Sequence, residues 1–365
     1  MSEHFDIAIV GAGMAGASIA AEIGDAASVL LLEAEDMPGY HATGRSAAFW
    51  EECYGGPAIV PLTLASGAYL QEQGFLSDRG ALYLAREQDE TLIGKFFADF
   101  ASSGAFFERI GRSEMDRIVP GLKEEWDRAI WQPRCADIDV AGLHAHYLAM
   151  AKAAGIVPQC RARVAAISRK QGKWNVTLAD GRGFSAGTLV NAAGAWADEI
   201  AQMAGVQPLG ITPYRRTVVQ LRVDPPPPDD LPLCLDIAGE FYFKPESGRL
   251  WLSPHDETPS PAVDAAPEEL DVAIAIDRLE HTTNWQVRGL ERKWAGLRSF
   301  APDRLPVYGR DPTSPEFFWF AGQGGYGIQT APAAARLGAQ LLLGSERDSM
   351  TQALDADAYS PARFR

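Results

Sequence analysis

A glycine triplet set between a strand and a helix constrains this chain more than any other feature. Gly11-Ala12-Gly13-Met14-Ala15-Gly16 follows the apolar run Asp6-Ile7-Ala8-Ile9-Val10 and opens an alanine-rich stretch that reads as helix from Met14. A second apolar run, Val29-Leu30-Leu31-Leu32, ends at Glu33 with Ala34 beside it, about twenty residues after the glycines. A lone GxGxxG is weak, but strand, turn, helix and acidic residue in this order are the context in which it binds a dinucleotide. Gly11 allows the tight turn. Gly13 lets the backbone, with Met14 and Ala15, approach a pyrophosphate, and Gly16 lets helix and strand pack closely. The pyrophosphate rests on the positive N-terminal end of the helix. Glu33 accepts from ribose hydroxyls, and its charge disfavours the extra phosphate of NADP. NAD and FAD both stay open at this point.

The next segment separates them. Pro38-Gly39-Tyr40-His41-Ala42-Thr43-Gly44-Arg45-Ser46-Ala47-Ala48 follows directly after the ribose strand. Its small residues permit close contact with a flat ring system, and Arg45 and Ser46 add donors. An NAD dehydrogenase usually starts another regular βα unit there. The expected cofactor is therefore FAD, held through its ADP half.

Composition narrows the setting. The chain has 365 residues and a formal net charge of -15, which argues against nucleic acid and against a surface that grips anionic lipid. The longest apolar runs fall short of a transmembrane segment. Met1-Ser2-Glu3-His4-Phe5-Asp6 lacks the basic flank of a signal peptide, so a cytoplasmic protein is expected. Cys53, Cys135, Cys160 and Cys234 are scattered without metal-ligand spacing. They read as reduced buried thiols, with no metal and no covalent flavin link.

Three segments share the strand–glycine–helix form: Asp6 to Met14, Thr188-Leu189-Val190-Asn191-Ala192 with a helix after Trp196, and Phe317-Phe318-Trp319-Phe320-Ala321 with a helix from about Ile328. They suggest one nucleotide domain assembled from distant pieces. The region 211–255 alternates and reads as antiparallel sheet. Asp224 to Asp230 and Thr258 to Pro267 read as surface loops rich in proline. The expected fold class is α/β (α+β overall), a Rossmann-like FAD-binding domain with a second, mostly antiparallel β-sheet substrate domain. Residues 1–80, 140–210 and 296–365 are assigned to the first, and 81–139 and 211–295 to the second.

At this point the sequence resembles the glycine oxidase/D-amino-acid oxidase family of flavoenzymes, and within it bacterial D-amino-acid dehydrogenases of the D-arginine dehydrogenase type. The matching pieces are Gly11 to Gly16, Pro38 to Ala48, Leu189-Val190-Asn191-Ala192-Ala193-Gly194-Ala195-Trp196, Trp294-Ala295-Gly296-Leu297-Arg298-Ser299-Phe300 and Gln323-Gly324-Gly325-Tyr326-Gly327-Ile328-Gln329-Thr330. They run in order at matching separations. The resemblance implies noncovalent FAD in a two-domain fold. It implies that Ala193, Gly194 and Trp196 pass close to the dinucleotide, although Trp196 also suits a core position, and that Val164 contacts adenine and His41 sits beside the cofactor. Gly325, Tyr326, Gly327, Ile328 and Gln329 would face the flavin's pyrimidine edge, where helix amides favour the charge of reduced flavin.

The resemblance also implies a substrate carboxylate. Arginine offers it a planar fork. Arg298 is the first choice, also reaching the cofactor, and Arg216 is the second arm. Tyr242 and Tyr54 match active-site tyrosines, and main-chain carbonyls near Gly327 and Gln329 suit an amine. The family's distal carboxylate is replaced here by Ala81 and its histidine by Phe49. With Leu233 and Leu235 at pocket-lining positions, an apolar or aromatic substrate side chain is expected rather than that of D-arginine. Glu51 reads as a loop carboxylate in solvent; turned inward, it would bind a cation or act as a base. The expected activity is oxidation of a small amino acid, a D-amino acid, by hydride transfer from its alpha carbon to flavin N5. The imino acid then hydrolyses to a 2-keto acid and ammonia, and a quinone-like or dye acceptor or O2 takes the electrons. The alternatives are an FAD-dependent 2-hydroxy-acid dehydrogenase (for instance on 2-hydroxyglutarate), with His41 the nearest candidate base, and a non-catalytic flavoprotein subunit.

Overall fold

The computed structural model describes residues 3–365. The first apolar run lies in the strand Glu3–Val10, and the helix Met14–Ile23 starts inside the glycine motif. The strands Gly183–Asn191 and Phe317–Ala321 join it in one seven-stranded sheet. The order along this sheet is Val307–Arg310, Phe317–Ala321, Gly183–Asn191, Glu3–Val10, Val29–Leu32. Its inner pairings are parallel, with Val10 level with both Asn191 and Leu32, and Asn191 level with Trp319. Parallel strands in register bring their C-terminal ends to one edge, where open sheets of this kind bind ligand.

Side chains alternate across the sheet with period two. Ile7, Ile9, Leu31, Val190, Phe318 and Phe320 pack with the helices Met14–Ile23, Val140–Ala153 and Ala331–Leu343. Ala8, Val10, Leu30, Leu32, Leu189, Phe317 and Trp319 share a second core with the antiparallel pair Val164–Lys170 and Lys173–Leu178 and the short helix Ala197–Met203. Both faces are covered, so these strands read as continuous apolar runs. The last helix begins at Ala331 rather than near Ile328, because residues 324–330 first form a series of turns.

A second, nine-stranded sheet is mostly antiparallel; Leu233–Asp236 beside Ala81–Ala85 is its parallel pair. Its longest pairing joins Thr212–Asp224 to Gln286–Phe300, from Thr212 opposite Phe300 to Asp224 opposite Gln286. That strand runs unbroken through position 296, where the domain division is expected, so Arg298 is held by the antiparallel sheet. The stretch from Thr258, expected as loop, begins with Thr258–Pro259 paired to Tyr214 and Arg215. A three-stranded sheet joins Phe49–Trp50, Ala136–Ile138 and Leu76–Asp78. Among the described residues, no helix is long and apolar enough to cross a membrane.

Candidate functional site

A cavity of about 420 Å³ runs from Glu33 at the edge of the parallel sheet to Arg298 on the antiparallel one, within the range of small-molecule and cofactor sites. At its first end the glycine turn is tightly built. Gly11 has φ +100°, and a Cβ there would lie 2.5 Å from the carbonyl oxygen of Ala192. A Cβ on Gly16 would meet the Gly11 carbonyl at 1.8 Å, so Gly16 serves packing and does not line the cavity. Glu33 is buried and divides its carboxylate. One oxygen accepts the Ala12 N–H at 3.0 Å and the other the Glu35 N–H at 3.0 Å. The Met14 N–H donates to Thr43 Oγ1 at 2.9 Å, which ties the helix start to the 38–48 segment. Gly13, Met14, Ala15, Ala34, His41, Thr43, Val164, Ala193, Gly194 and Trp196 all line the cavity. Trp196 is therefore not core; its ring packs 4.7 Å from His41, which in turn bonds Glu35 at 3.0 Å.

Several expectations in this region are corrected. Arg45 lines the cavity, but its guanidinium is already engaged, bonding Ala265 O at 2.9 Å and Ala295 O at 3.2 Å and pairing with Asp264. It clamps the 38–48 segment to the second sheet rather than offering free donors. Ser46, Ala47 and Ala48 do line the cavity, whereas Gly44 closes a turn on Gly39 O at 2.7 Å. Tyr326 turns away; it packs with Ile59 and Phe300 and donates its hydroxyl to Arg304 O.

His144 escaped the sequence reading. It is buried, and its Nε2 lies 3.0 Å from Ala12 O in the glycine turn. The carbonyl can only accept, so Nε2 carries the proton. Burial holds the imidazole below its usual range, against a smaller opposing pull from that bond, and keeps it neutral. Its helical, largely apolar surroundings gave no signal of a role at the turn. His144→Phe keeps the bulk and strands the Ala12 carbonyl, at a cost of about 1–3 kcal/mol. Fluorescence titration of the apoprotein is expected to give FAD binding weaker by about tenfold or more. Unchanged affinity together with an unchanged melting temperature counts against this role.

The other end of the cavity is cationic. Tyr214 stands opposite Arg298 and Arg216 opposite Gly296, so Arg216 and Arg298 are diagonal neighbours on one sheet face. Arg298 Nη1 donates to Tyr54 Oη at 3.3 Å and Nη2 to Glu257 Oε1 at 2.7 Å. Arg216 Nε donates to Asp256 O at 2.9 Å, and its Nη2 lies 3.6 Å from the same Glu257 oxygen. Arg304 adds a third guanidinium at 2.9 Å from Glu257. Burial and the charge of Arg298 both pull Arg216 below the usual guanidinium range. Burial pushes Glu257 up, but Arg298 and Arg304 outweigh it and hold the carboxyl below its usual range. Burial and the two inner arginines hold His255 down to about 3, so it stays neutral. His255, Asp256 and Glu257 were missed because a charged run after a strand reads as a solvated turn, and Arg304 lies in a separate loop after the strand Gln286–Phe300. Only the pairing of Thr258–Pro259 with Tyr214 and Arg215 carries that run to the arginines.

Phe49, Tyr54 and Tyr242 line this end, with ring centroids 5.2 Å and 6.1 Å apart about Phe49. Gly325, Gly327, Ile328 and Gln329 also line it. A Cβ on Gly325 would lie 2.6 Å from Tyr54 Oη, so glycine is what lets that turn approach. Gln329 spends its amide on Thr63 Oγ1 at 2.8 Å and on the backbone of Glu51 and Tyr54. Leu233 and Leu235 do not line the cavity. They pack behind Phe49 and Tyr242 with Ala81 and Cys135. Glu51 is neither in solvent nor in the cavity; it is fully buried, bonded to Tyr83. None of the four cysteines lines the cavity, and all are unpaired. Among the described residues, no His, Cys, Asp and Glu cluster has the makings of a metal site.

The residues present fit a dinucleotide carrying a flat reactive ring. The Gly11 turn admits backbone contact at one end, the turn at Gln323, Gly324, Gly325 and Gly327 lines the other, and the buried Gln323 Nε2 in that turn has no hydrogen-bond partner in the protein. Fold and site together define a nucleotide-dependent oxidoreductase whose reactive end opens onto paired arginines. The pattern of the DAO family, described as FAD dependent oxidoreductase, matches residues 6–341; the chain belongs to this family, and its cofactor is FAD. Glycine oxidase of Geobacillus kaustophilus is 24% identical over 365 residues, covering 94% of each protein. A crystal structure of that enzyme aligns with a TM-score of 0.85 over 99% of both chains. L-proline dehydrogenase from P. horikoshii aligns with a TM-score of 0.85 at 23% identity, over 100% of this chain and 98% of that one. The bifunctional protein ThiO/ThiG of Synechocystis is 25% identical over 377 residues, and the chain spans 55% of its length.

Proposed function

We propose that the chain oxidises a small amino acid, a D-amino acid with an apolar side chain, to an imino acid that water converts to a 2-keto acid and ammonia. One observation carries this reading. Three guanidiniums, those of Arg216, Arg298 and Arg304, crowd one carboxylate, that of Glu257, and Arg216 Nη2 and Arg298 Nε are buried without a hydrogen-bond partner. Buried polar groups are hydrogen-bonded in nearly all proteins. A substrate carboxylate supplies the missing acceptors and the missing negative charge.

When bound, FAD supplies the two-electron acceptor that takes hydride from the substrate's alpha carbon. The arginines fix the carboxylate, and Tyr54 and Tyr242 close over it, so that catalysis is largely positioning. The carbonyls around Gly327 and Gln329 are assigned to the amine. No Asp, Glu or His lines the cavity beside Arg298, and His41 is held at the far end by Glu35 and Trp196. A neutral amine needs no base there, whereas an alcohol does, which favours amino acids over 2-hydroxy acids. The apolar layer of Phe49, Tyr242, Ala81, Leu233 and Leu235 holds no carboxylate to pair with a distal cation, which argues against D-arginine. The D configuration rests on the sequence resemblance, the electron acceptor is assigned to a quinone-like dye or O2, and a cytoplasmic setting remains part of the proposal. We keep the discontinuous division into an FAD unit and a substrate unit, with its last boundary moved beyond Phe300.

The test is anaerobic bleaching of the yellow protein by a panel of D- and L-amino acids and 2-hydroxy acids. Bleaching by small apolar D-amino acids is the expected result. Bleaching by L-amino acids alone corrects the configuration, and bleaching by hydroxy acids alone overturns the reaction. If no compound bleaches the flavin, the subunit reading gains.

A further inference from the structure

Glu51 is a buried carboxylate that the reaction above does not use. Its residue is fully inaccessible, and it forms no ion pair among the described residues. One oxygen accepts the Cys53 N–H at 3.1 Å, and the other accepts the Tyr83 hydroxyl at 2.8 Å. An unpaired buried carboxylate is costly, and nearby cations are committed elsewhere. Arg134 faces Glu52, and Arg79 and Lys244 both face Asp137. The ionisable groups facing Glu51 are Tyr83 on the strand Ala81–Ala85, Glu52 and Cys53 on its own segment, and Cys135 ahead of the strand Ala136–Ile138.

The carboxylate sits within the segment that builds one wall of the cavity. Phe49 and Tyr54 flank it and both line the cavity, and Tyr54 Oη receives the Arg298 Nη1–H. Gln329 grips the backbone of the same turn at Glu51 and Tyr54. We propose that Glu51 is a positioning residue: its carboxylate, by accepting from the Cys53 turn and from Tyr83, holds Tyr54 where it braces Arg298 for the substrate carboxylate. The proposal rests on the reading of Arg298 given above.

Protonation changes what this group can do. An ionised carboxylate accepts at both oxygens; a neutral carboxyl accepts more weakly and must find an acceptor for its own proton. Burial pushes Glu51 up to about 7, the bonds from Tyr83 and Cys53 pull it down, and the charge of Glu52 raises it further. The acid limb of substrate recognition therefore lies near neutrality. Above it Glu51 is ionised and the turn is held; below it the turn loosens.

Acetate isolates this effect, because it presents a carboxylate with no amine to titrate. Calorimetry on the FAD-loaded protein is expected to find acetate binding about tenfold tighter at about pH 8.5 than at about pH 5.5, the difference between a charged and a neutral hydrogen bond. In Glu51→Gln the affinity stays at the acid-side value throughout, and Glu51→Asp restores a limb. Tyr83→Phe removes a bond that favours the ionised form, so the midpoint moves to higher pH. That variant keeps the proposal testable if Glu51→Gln does not fold. A flat profile in the parent protein, a limb that survives Glu51→Gln, or an unmoved midpoint in Tyr83→Phe overturns it. Affinity that falls as pH rises signals bare charge repulsion and overturns it as well. No acetate binding at any pH instead removes the arginine reading on which it stands.

Discussion

Replacing Arg298 with methionine is expected to lower kcat/KM for an amino-acid substrate by about a thousandfold while the protein stays yellow. Arg298 makes the innermost contacts at the cationic end. It bonds Tyr54 and Glu257, lies over the Phe300 ring at 5.4 Å, and keeps a buried Nε without a partner. Methionine fills similar volume but removes the fork and the charge. Truncating one member of a buried, hydrogen-bonded charge pair costs about 2–5 kcal/mol, and about 4 kcal/mol corresponds to a thousandfold. Arg298→Lys keeps the charge without the planar fork and is expected to recover only part of the loss. Arg216→Met is expected to lose less, because it releases one backbone carbonyl, that of Asp256, whereas loss of Arg298 releases both Tyr54 and Glu257. Steady-state kinetics and the flavin content of each variant check this. Arg298→Met within tenfold of the parent enzyme removes the carboxylate reading.

The reach of the sequence follows a physical division. The parallel strands were readable because burial on both faces makes them short uninterrupted apolar runs, and glycine at 11 is demanded by a positive φ that few other residues adopt. Arg298 and Arg216 were readable through the family resemblance, and the strand register that makes them neighbours is set by a long pairing that alternation only hints at. What stayed hidden depends on tertiary contact. Glu257 becomes part of the cationic end because Thr258–Pro259 joins the sheet, and nothing in His255-Asp256-Glu257 distinguishes that from a solvated turn. Glu51 was assigned to solvent or the cavity, and it lies in neither, because the Ala81–Ala85 strand brings Tyr83 over it. Arg45 and Tyr326 carry residue types that suit a flavin site, yet their polar ends are used on Asp264 and on the Arg304 carbonyl. Residue type therefore identified where the site is, and partner choice decided which atoms remain free within it.

Gly11→Ala tests the feature on which the whole reading depends, and its expected result is a colourless protein. Two independent penalties meet at this position. Its φ of +100° lies where L side chains are rarely found, and a Cβ would stand 2.5 Å from the carbonyl oxygen and 3.0 Å from the carbonyl carbon of Ala192. Ala192 follows the strand Gly183–Asn191, which pairs with Glu3–Val10 along its length, so neither backbone can retreat without breaking the parallel register. The turn must open instead, and two contacts open with it. The Ala12 N–H leaves Glu33, and the Ala12 carbonyl leaves His144. Strained backbone costs about 1–3 kcal/mol, and each stranded buried group about as much again. Together these are expected to weaken FAD binding by at least about a hundredfold and to lower the melting temperature of the apoprotein. Circular dichroism separates loss of cofactor from loss of fold, and fluorescence titration gives the affinity. A folded, fully yellow Gly11→Ala protein would mean that the cofactor is held without the backbone approach this turn provides. The glycine motif would then be a packing element, and the 38–48 segment with the Gly324–Gly327 turn would have to carry the binding alone.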